Sequence, residues 1–292
     1  MAQSHGGLPL SCPLCQADGP VAFYRENDYR FWRCRTCRLL FLWPPPDPAF
    51  LQEHYQGYLP DAPRMIRRWD AAMAPVFDSA ADTLQRLIPN PGRLLDVGCG
   101  FGAFLQRMQG RGFCIEGVEL SGGAAELARQ RTGAPIHSAP IEEIGLERTF
   151  NAITMFYVIE HLRRPWSTLA ALRSRLNRNG VLLLRYPNTT PLLRLNRTLA
   201  RRLGLMQAPS HLFDFSEAAM RRMLQQAGFG SMETRLDSNT RPSHPMARCI
   251  ASVSGAFGQL LSGLSRHRLL VPGVSRTTLV SGNRDRFRIK LL

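Results

Sequence analysis

The segment LLDVGCGFGAF, Leu94 to Phe104, constrains the fold more than any other part of the chain. An apolar run ends in Asp96, and glycines then recur at Gly98, Gly100 and Gly102. Such a run reads as a buried strand entering a tight turn. Glycine lets the turn backbone approach a ligand closely and take up φ values closed to other residues. AFLQRMQGRG follows with the character of a helix, so strand, glycine turn and helix come in that order.

Two nucleotide-derived ligands suit this turn. A dinucleotide would set its pyrophosphate on the helix N-terminus, and Gly98, Gly100 and Ala103 match the spacing G-x-G-x-x-A. S-adenosylmethionine has no phosphate; it offers an ammonium and a carboxylate at one end, ribose and adenine at the other. An acid just before the glycines attracts an ammonium and repels a pyrophosphate, so Asp96 favours the second ligand.

The chain beyond the turn alternates strand and helix. FCIEGVEL, APIHSA, FNAITMFYV and VLLLRYPN read as further strands, with METRLDS and RTTLVSGN as two later ones. SGGAAELARQRTG reads as a helix with Ser121 near its cap, and PWSTLAALRSRLNRNG as a helix closed by Gly180. SEAAMRRMLQQAGF is a helix opened by Ser216, with Glu217 in its first turn. The pattern predicts an α/β fold: a Rossmann-like, doubly wound, mostly parallel sheet of about seven strands. Ligands of such sheets sit at the carboxyl ends of the strands, where Asp96, Glu119 and FYVIEH all fall. Glu119 can accept both hydroxyls of a ribose, which suits either ligand.

A small metal-held ribbon is expected ahead of this domain. CPLC and CRTC place Cys12, Cys15, Cys34 and Cys37 as two C-x-x-C pairs with eighteen residues between them. Two such pairs complete a tetrahedral, closed and therefore structural zinc site. A region this short buries too little core to fold alone, so the metal would supply much of its folding energy. The expected organisation is a zinc ribbon over 1–45, a helical linker or cap over 46–90, and the main domain over 91–292. LWPPPDP begins the linker, and Tyr55 and Tyr58 of the cap either reach the pocket or pack.

The 292 residues carry a formal net charge of +15, which invites a nucleic-acid reading. The basic residues are nearly all arginine, with Lys290 the only lysine, and they are spread along the chain. That distribution speaks for a compositional bias over a nucleic-acid patch. No apolar run approaches ~20 residues, so no membrane span is expected. The start MAQSHGGLPLSC lacks the regions of a signal peptide, which leads to the expectation of a cytoplasmic protein. Two stretches point toward a lipid surface. In 189–210, Leu192, Leu195, Leu199 and Leu203 alternate with Arg194, Arg197, Arg201 and Arg202 as a basic amphipathic helix, or as a lid. In 241–274, Ile250, Val253, Phe257, Leu260, Leu261 and Leu264 recur at helical spacing. A peripheral contact at the inner face of the membrane is therefore left open.

LLDVGCGFGAFL, GVELS, FNAITMFYVIEHLRRP and GVLLLRYPN together resemble the class I S-adenosylmethionine-dependent methyltransferases. The catalytic part is most similar to the ubiquinone-type O-methyltransferases. The cysteine pairs resemble the zinc-binding leader of sugar C-methyltransferases. The resemblance implies that Asp96 holds the methionine ammonium, that Gly98, Cys99, Gly100 and Gly102 line the methionine part, and that Glu119 binds the ribose diol. Leu120 and Ile141 would pack near the adenine, and Tyr157 would join the cofactor site. The family's adenine-binding acid after strand three is missing here, so Ser138, the backbone near Ile141, or Glu142 must substitute. Its usual acid at the opening of strand four is Asn151, expected to make a local contact.

Methyl transfer needs nucleophile and methyl held in line, about 3 Å apart, and water kept out. A general base helps where the nucleophile is a hydroxyl. His161 and His211 are the candidates, with Glu160 able to orient one of them. The expected substrate is a small or lipid-linked biosynthetic intermediate: a sugar, glycan, quinone or natural product. The alternatives are an RNA methyltransferase gripping nucleic acid through its ribbon, a dinucleotide-dependent oxidoreductase, and a cofactor-binding module without turnover. Oligomeric state is not legible.

Overall fold

The structure is a computed structural model, and it describes residues 7–145, 148–187, 189–190, 193, 197–202, 204–236 and 276–281. The expected insertion 241–274 lies outside the described residues, as do Leu192, Leu195 and Leu203.

The chain begins with three short strands, β1 (Val21–Glu26), β2 (Tyr29–Arg33) and β3 (Leu40–Leu42), followed by helices α1 (Pro48–Gln56) and α2 (Pro63–Leu87). The main domain then runs β4 (Arg93–Val97), α3 (Ala103–Gln109), β5 (Cys114–Val118), α4 (Gly122–Thr132), β6 (Ile136–His137) and β7 (Phe150–Phe156). It continues through α5 (Pro165–Arg175), β8 (Leu176–Tyr186), α6 (Arg197–Arg202), β9 (Phe213–Asp214), α7 (Glu217–Gln226), β10 (Ser231–Leu236) and β11 (Arg276–Ser281).

Seven strands form the main sheet in the order β10-β11-β8-β7-β4-β5-β6. Strands β6, β5, β4, β7 and β8 are parallel, and β11 runs against both its neighbours. The order reverses at β4, whose carboxyl end is thus the switch point where open α/β sheets bind ligands. Leu94, Leu95, Val97, Ile153, Met155, Leu182 and Leu184 are buried, as strands covered on both faces must be.

Two local features differ from the sequence reading or sharpen it. Helix α5 stops at Arg175 and β8 starts at once with Leu176, so Gly180 sits inside a strand and is no helix cap. Pairing decides this: Phe150 faces Leu176 and, after an irregularity, Ala152 faces Val181. A side chain at Gly180 would meet Leu176 at 2.8 Å, which explains the glycine by close packing. Ser216, in contrast, caps α7 by accepting the Ala219 N–H at 3.1 Å.

Helix α2 is strapped onto the glycine-turn side of the sheet. Its buried stripe includes Met73, Val76, Phe77, Ala80, Ala81 and Leu84. Asp78 and Asp82 of α2 each meet an arginine, Arg107 and Arg111, at 2.7 Å, and Asp70 meets Arg131 at 3.0 Å.

The ribbon is continuous with the main domain. Strand β9, just before α7, completes a second sheet of order β1-β2-β3-β9. Leu40 pairs with Asp214 and Phe41 with Phe213. Cys12, Cys34, Phe31 and Leu40 share one buried cluster with Leu184, Phe215 and Met220. Among the described residues, no helix is long and apolar enough to cross a membrane.

Candidate functional site

The glycine turn forms as its spacing demands. Gly98, Gly100 and Gly102 all have positive φ, at 74°, 53° and 77°. Their roles differ. A side chain at Gly98 would lie 2.3 Å from the Val158 methyl, and one at Gly102 would lie 3.1 Å from Ala128 Cα. Gly102 thus lets α3 close on α4, and Gly98 lets the segment after β7 press against the turn. Gly100 faces Trp69 and Leu59 of the cap, 3.4 and 4.0 Å from its would-be Cβ. Cys99 is buried within the turn, and burial raises its thiol, so it stays protonated.

Two buried acids flank the turn. Asp96 accepts the Thr154 hydroxyl at 2.6 Å, and burial pushes its carboxyl up to about 7. Thr154, on β7, was missed by sequence reasoning; a lone hydroxyl in the apolar run FNAITMF is its only signal. Glu119 accepts the Gly100 N–H at 2.9 Å with one oxygen and the Ser121 N–H at 2.8 Å with the other. Burial raises its carboxyl, and those two N–H bonds oppose the rise. Each oxygen keeps a lone pair for a further donor. Leu120 beside it is exposed, and Ile141 is buried.

The expected substitutes for an adenine acid are engaged elsewhere. Glu142 accepts the Thr168 hydroxyl, and Ser138 accepts from Arg129 Nη2 at 3.0 Å. Asn151 makes its local contact, accepting the Arg93 N–H at 3.0 Å. Tyr157, at φ 55°, turns its hydroxyl to Arg185 Nε at 2.9 Å.

Val158 brings the next residues against the turn, and there Glu160, His161 and His211 converge. One ligand atom from each lies within 4.8 Å of the others, and all three are largely or wholly buried. Both carboxyl oxygens of Glu160 lack a hydrogen-bond partner among the described residues. Burial pushes its carboxyl up to about 8, so it is protonated at neutral pH. Burial pushes His161 down to about 4 and His211 down to about 3, so both rings are neutral there. The Ser210 carbonyl lies 2.9 Å from His161 Nδ1 and can only accept. The proton therefore sits on Nδ1, and Nε2 is the ring's free base. A neutral acid beside two neutral imidazoles can pass a proton, and the same donor set could hold a cation.

The cap closes this corner. The Tyr55 hydroxyl donates to the Ser210 carbonyl at 2.7 Å, and Tyr58 packs edge-on to His161 at 5.4 Å. His54 Nε2, unnoticed in the sequence, meets the Ser210 hydroxyl at 2.7 Å. Gln56 Nε2 reaches the Leu120 carbonyl at 3.5 Å, so α1 bridges the acid–histidine cluster and the Glu119 rim. A cavity of about 630 Å³ opens beside it, lined by Tyr58, Leu59, Met65, Arg68 and Trp69 among others.

The four ribbon cysteines also converge, with their sulfurs all within 4.8 Å of one another. Cys12 and Cys37 are 3.6 Å apart, Cys15 and Cys34 3.5 Å. Thiolates around a tetrahedral zinc at ≈ 2.3 Å stand about 3.8 Å from each other, so the donor set fits that ion. The Cys12–Cys37 hydrogen bond lowers Cys12 and raises Cys37, as expected of thiols sharing a proton.

A sheet with one reversed strand, and an acid-flanked glycine turn at its switch point, define the class I methyltransferase architecture. The family described as "Methyltransferase domain" matches residues 61–233, and the chain belongs to it. A ubiquinone biosynthesis O-methyltransferase of Haemophilus ducreyi is 29% identical over 109 residues, 34% of this chain and 46% of that protein. A dTDP-3-amino-3,6-dideoxy-alpha-D-glucopyranose N,N-dimethyltransferase of Streptomyces fradiae is 37% identical over 94 residues, 32% of this chain and 37% of that protein. The chain thus spans less than half the length of these relatives. Among solved structures, a SAM-dependent methyltransferase of Thermotoga maritima, described as a possible histamine N-methyltransferase, overlays with a TM-score of 0.53. It is 16% identical and covers 80% of this chain and all of its own, which speaks to the fold.

Proposed function

We propose that the chain transfers a methyl group from S-adenosylmethionine to a small or lipid-linked biosynthetic intermediate such as a sugar, glycan, quinone or natural product. The observation that carries this is the placement of Glu160 and His161 against the Asp96–Gly98 turn through Val158. A dinucleotide pyrophosphate at the same turn would face the buried acid Asp96, whereas Glu119 suits the ribose of either ligand.

The cofactor, when bound, supplies a methyl already activated by its sulfonium. Asp96, held by Thr154, would face the methionine ammonium, directly or through water. Gly98, Cys99, Gly100 and Gly102 would border the methionine part. Glu119 would take the ribose hydroxyls on its remaining lone pairs. Leu120 and Ile141 would flank the adenine, and Tyr157, fixed by Arg185, would support the same floor. On the acceptor side, His161 Nε2 is the base for a hydroxyl or ammonium proton, His211 packs against it, and Glu160 completes the proton path. Tyr55 and Tyr58 keep water from this corner. A zinc ion held by Cys12, Cys15, Cys34 and Cys37 would be structural, since four protein ligands leave it no open position. The relatives act, by their names, in ubiquinone biosynthesis and on an amino sugar, which supports a small acceptor over RNA.

Labelled S-adenosylmethionine offered with a nucleotide-linked amino sugar, a prenylated catechol or RNA tests the reading. Methyl transfer to one of the first two is expected, lost in His161→Gln. Tight binding of NAD with no binding of S-adenosylmethionine overturns it. Metal analysis should find one zinc per chain, absent in Cys34→Ser.

A further inference from the structure

Strand β9 leads out of the segment that carries Ser210 and His211, yet the strand it pairs with belongs to the ribbon. Leu40 and Phe41 pair with Asp214 and Phe213, and Leu42 donates to the Leu212 carbonyl at 2.8 Å. From the other side, the N–H groups of Leu212 and Phe213 both reach the Glu160 carbonyl, at 2.8 and 3.2 Å. The backbone of 212–213 therefore lies between ribbon strand β3 and the residue that opens the acid–histidine cluster.

A second link is a buried acid. Glu26, last residue of β1, is 3% exposed. Its two carboxylate oxygens accept the N–H groups of Met206 and Ala208, at 3.1 and 2.9 Å. Tyr24 donates to it as well, at 3.3 Å. The segment 206–214, which carries Ser210 and His211, is thus gripped by the ribbon at both ends. Asp214 extends the grip to the start of the 189–210 segment, accepting the Thr189 and Thr190 N–H groups at 3.2 and 3.1 Å.

Both links run back to the cysteines. Strands β2 and β3 leave the Cys34–Cys37 knuckle on either side, with the Cys34 N–H bonded to the Leu39 carbonyl at 3.0 Å. Glu26 stands on the hairpin that β2 forms with β1, where Val21 faces Arg33 next to Cys34. Ser216, the α7 cap, also donates to the Cys37 carbonyl at 3.2 Å.

We infer that the cysteine ribbon is a positioning element of the acceptor site: through Glu26 and strand β3 it sets the place of 206–214, and with it the Ser210 carbonyl that fixes His161 and the ring of His211. The inference rests on the acceptor-side reading above and adds a residue, Glu26, that touches neither cofactor nor acceptor. Metal at the four cysteines would act on the histidines through the β3–β9 pairing and the Glu26 carboxylate, without touching either ring. Asp96, on β4, and Glu119, just past the end of β5, lie outside the ribbon's sheet and should not follow it.

The test uses the full chain in three forms: as purified with zinc, stripped by chelator and then refilled with zinc, and as Glu26→Gln with its metal retained. The glutamine can accept at one oxygen only, so one of the two N–H groups loses its partner. Amide hydrogen exchange should quicken about tenfold over 206–214 in the stripped and Glu26→Gln proteins, while affinity for S-adenosylmethionine changes by less than about twofold. The His161 and His211 ring signals should move in both, and return on zinc addition in the stripped protein. Unchanged exchange and ring signals despite complete metal loss would overturn the proposal. So would uniform loss of protection across the main sheet, which would make the ribbon a general stability element. Failure to bind S-adenosylmethionine counts against the function proposed above, whereas exchange and ring signals decide this inference.

Discussion

The carboxylate of Glu119 reaches back across the glycine turn to accept the Gly100 N–H at 2.9 Å, while its other oxygen takes Ser121 N–H at 2.8 Å. The acid proposed to grip the ribose is therefore already aimed before any ligand arrives, and its ordering cost falls on folding rather than on binding.

Replacing it tests that arrangement. Glu119→Ala removes charged acceptors for two hydroxyls and strips two turn N–H groups of their partner. Calorimetry should show S-adenosylmethionine binding weaker by roughly 1–3 kcal/mol. An unaltered affinity would mean that the ribose lies elsewhere.

The proton on Asp96 should make cofactor affinity depend on pH. Burial holds its carboxyl at about 7 in the free protein, above the ordinary 3.8. An ammonium prefers the carboxylate, so below pH 7 binding must first expel a proton. Affinity for S-adenosylmethionine should rise from pH 5.5 to 7.5, by at most about tenfold per pH unit. Asp96→Asn should bind weakly and with a flat profile. A wild-type profile as flat as the variant's would place the ammonium away from this acid.

Much of the candidate site's geometry was legible from residue types at strand ends. Asp96, the three glycines, Glu119 and the cysteine pairs announce themselves because their chemistry depends on local spacing. What stayed hidden depends on long-range pairing. Thr154 matters only because β7 lies beside β4, which puts its hydroxyl on Asp96. Glu26 matters only because a segment 180 residues later folds over it. The helix end near Gly180 was misplaced because a glycine after an apolar-periodic run reads as a C-cap, while β8 begins earlier, pairing Leu176 and then Val181 onward with β7.

The amphipathic stretch 189–210 presents its described part to the ribbon. Leu193 and Ala200 are buried, and Arg197 stacks over the Phe23 ring of β1 at 4.8 Å. Arg197, Arg201 and Arg202 are exposed. A membrane contact of α6 through these arginines would be electrostatic, worth about 1 kcal/mol per arginine and screened by salt. The protein should co-float with anionic vesicles at low salt and not with neutral ones. Arg201→Glu with Arg202→Glu should abolish this; unchanged flotation removes α6 from any membrane role.

Stability against pH should expose the buried acid–histidine cluster. Glu160 has a folded value of about 8, raised from 4.5 by burial. A raised carboxyl contributes stability fully present below its unfolded value and lost as pH rises through its folded one. Through this group the ligand-free protein loses stability as pH climbs from about 4.5 to 8, with no further loss above that. His161 and His211 act in the opposite sense. Their folded values, about 4 and about 3, lie below the ordinary 6.5. Their contribution is present above pH 6.5 and lost as pH falls through 4. The two windows overlap, and since two histidines outweigh one acid below pH 6.5, this cluster places the maximum of the melting temperature near pH 6.5. Glu160→Gln keeps the side chain's size and removes its ionisation, so the melting curve should flatten on the alkaline side and keep its acid limb. If Glu160→Gln and the wild type run in parallel between pH 6.5 and 8, Glu160 is ionised in the folded protein, and it cannot be the neutral acid that the cluster's proton path requires.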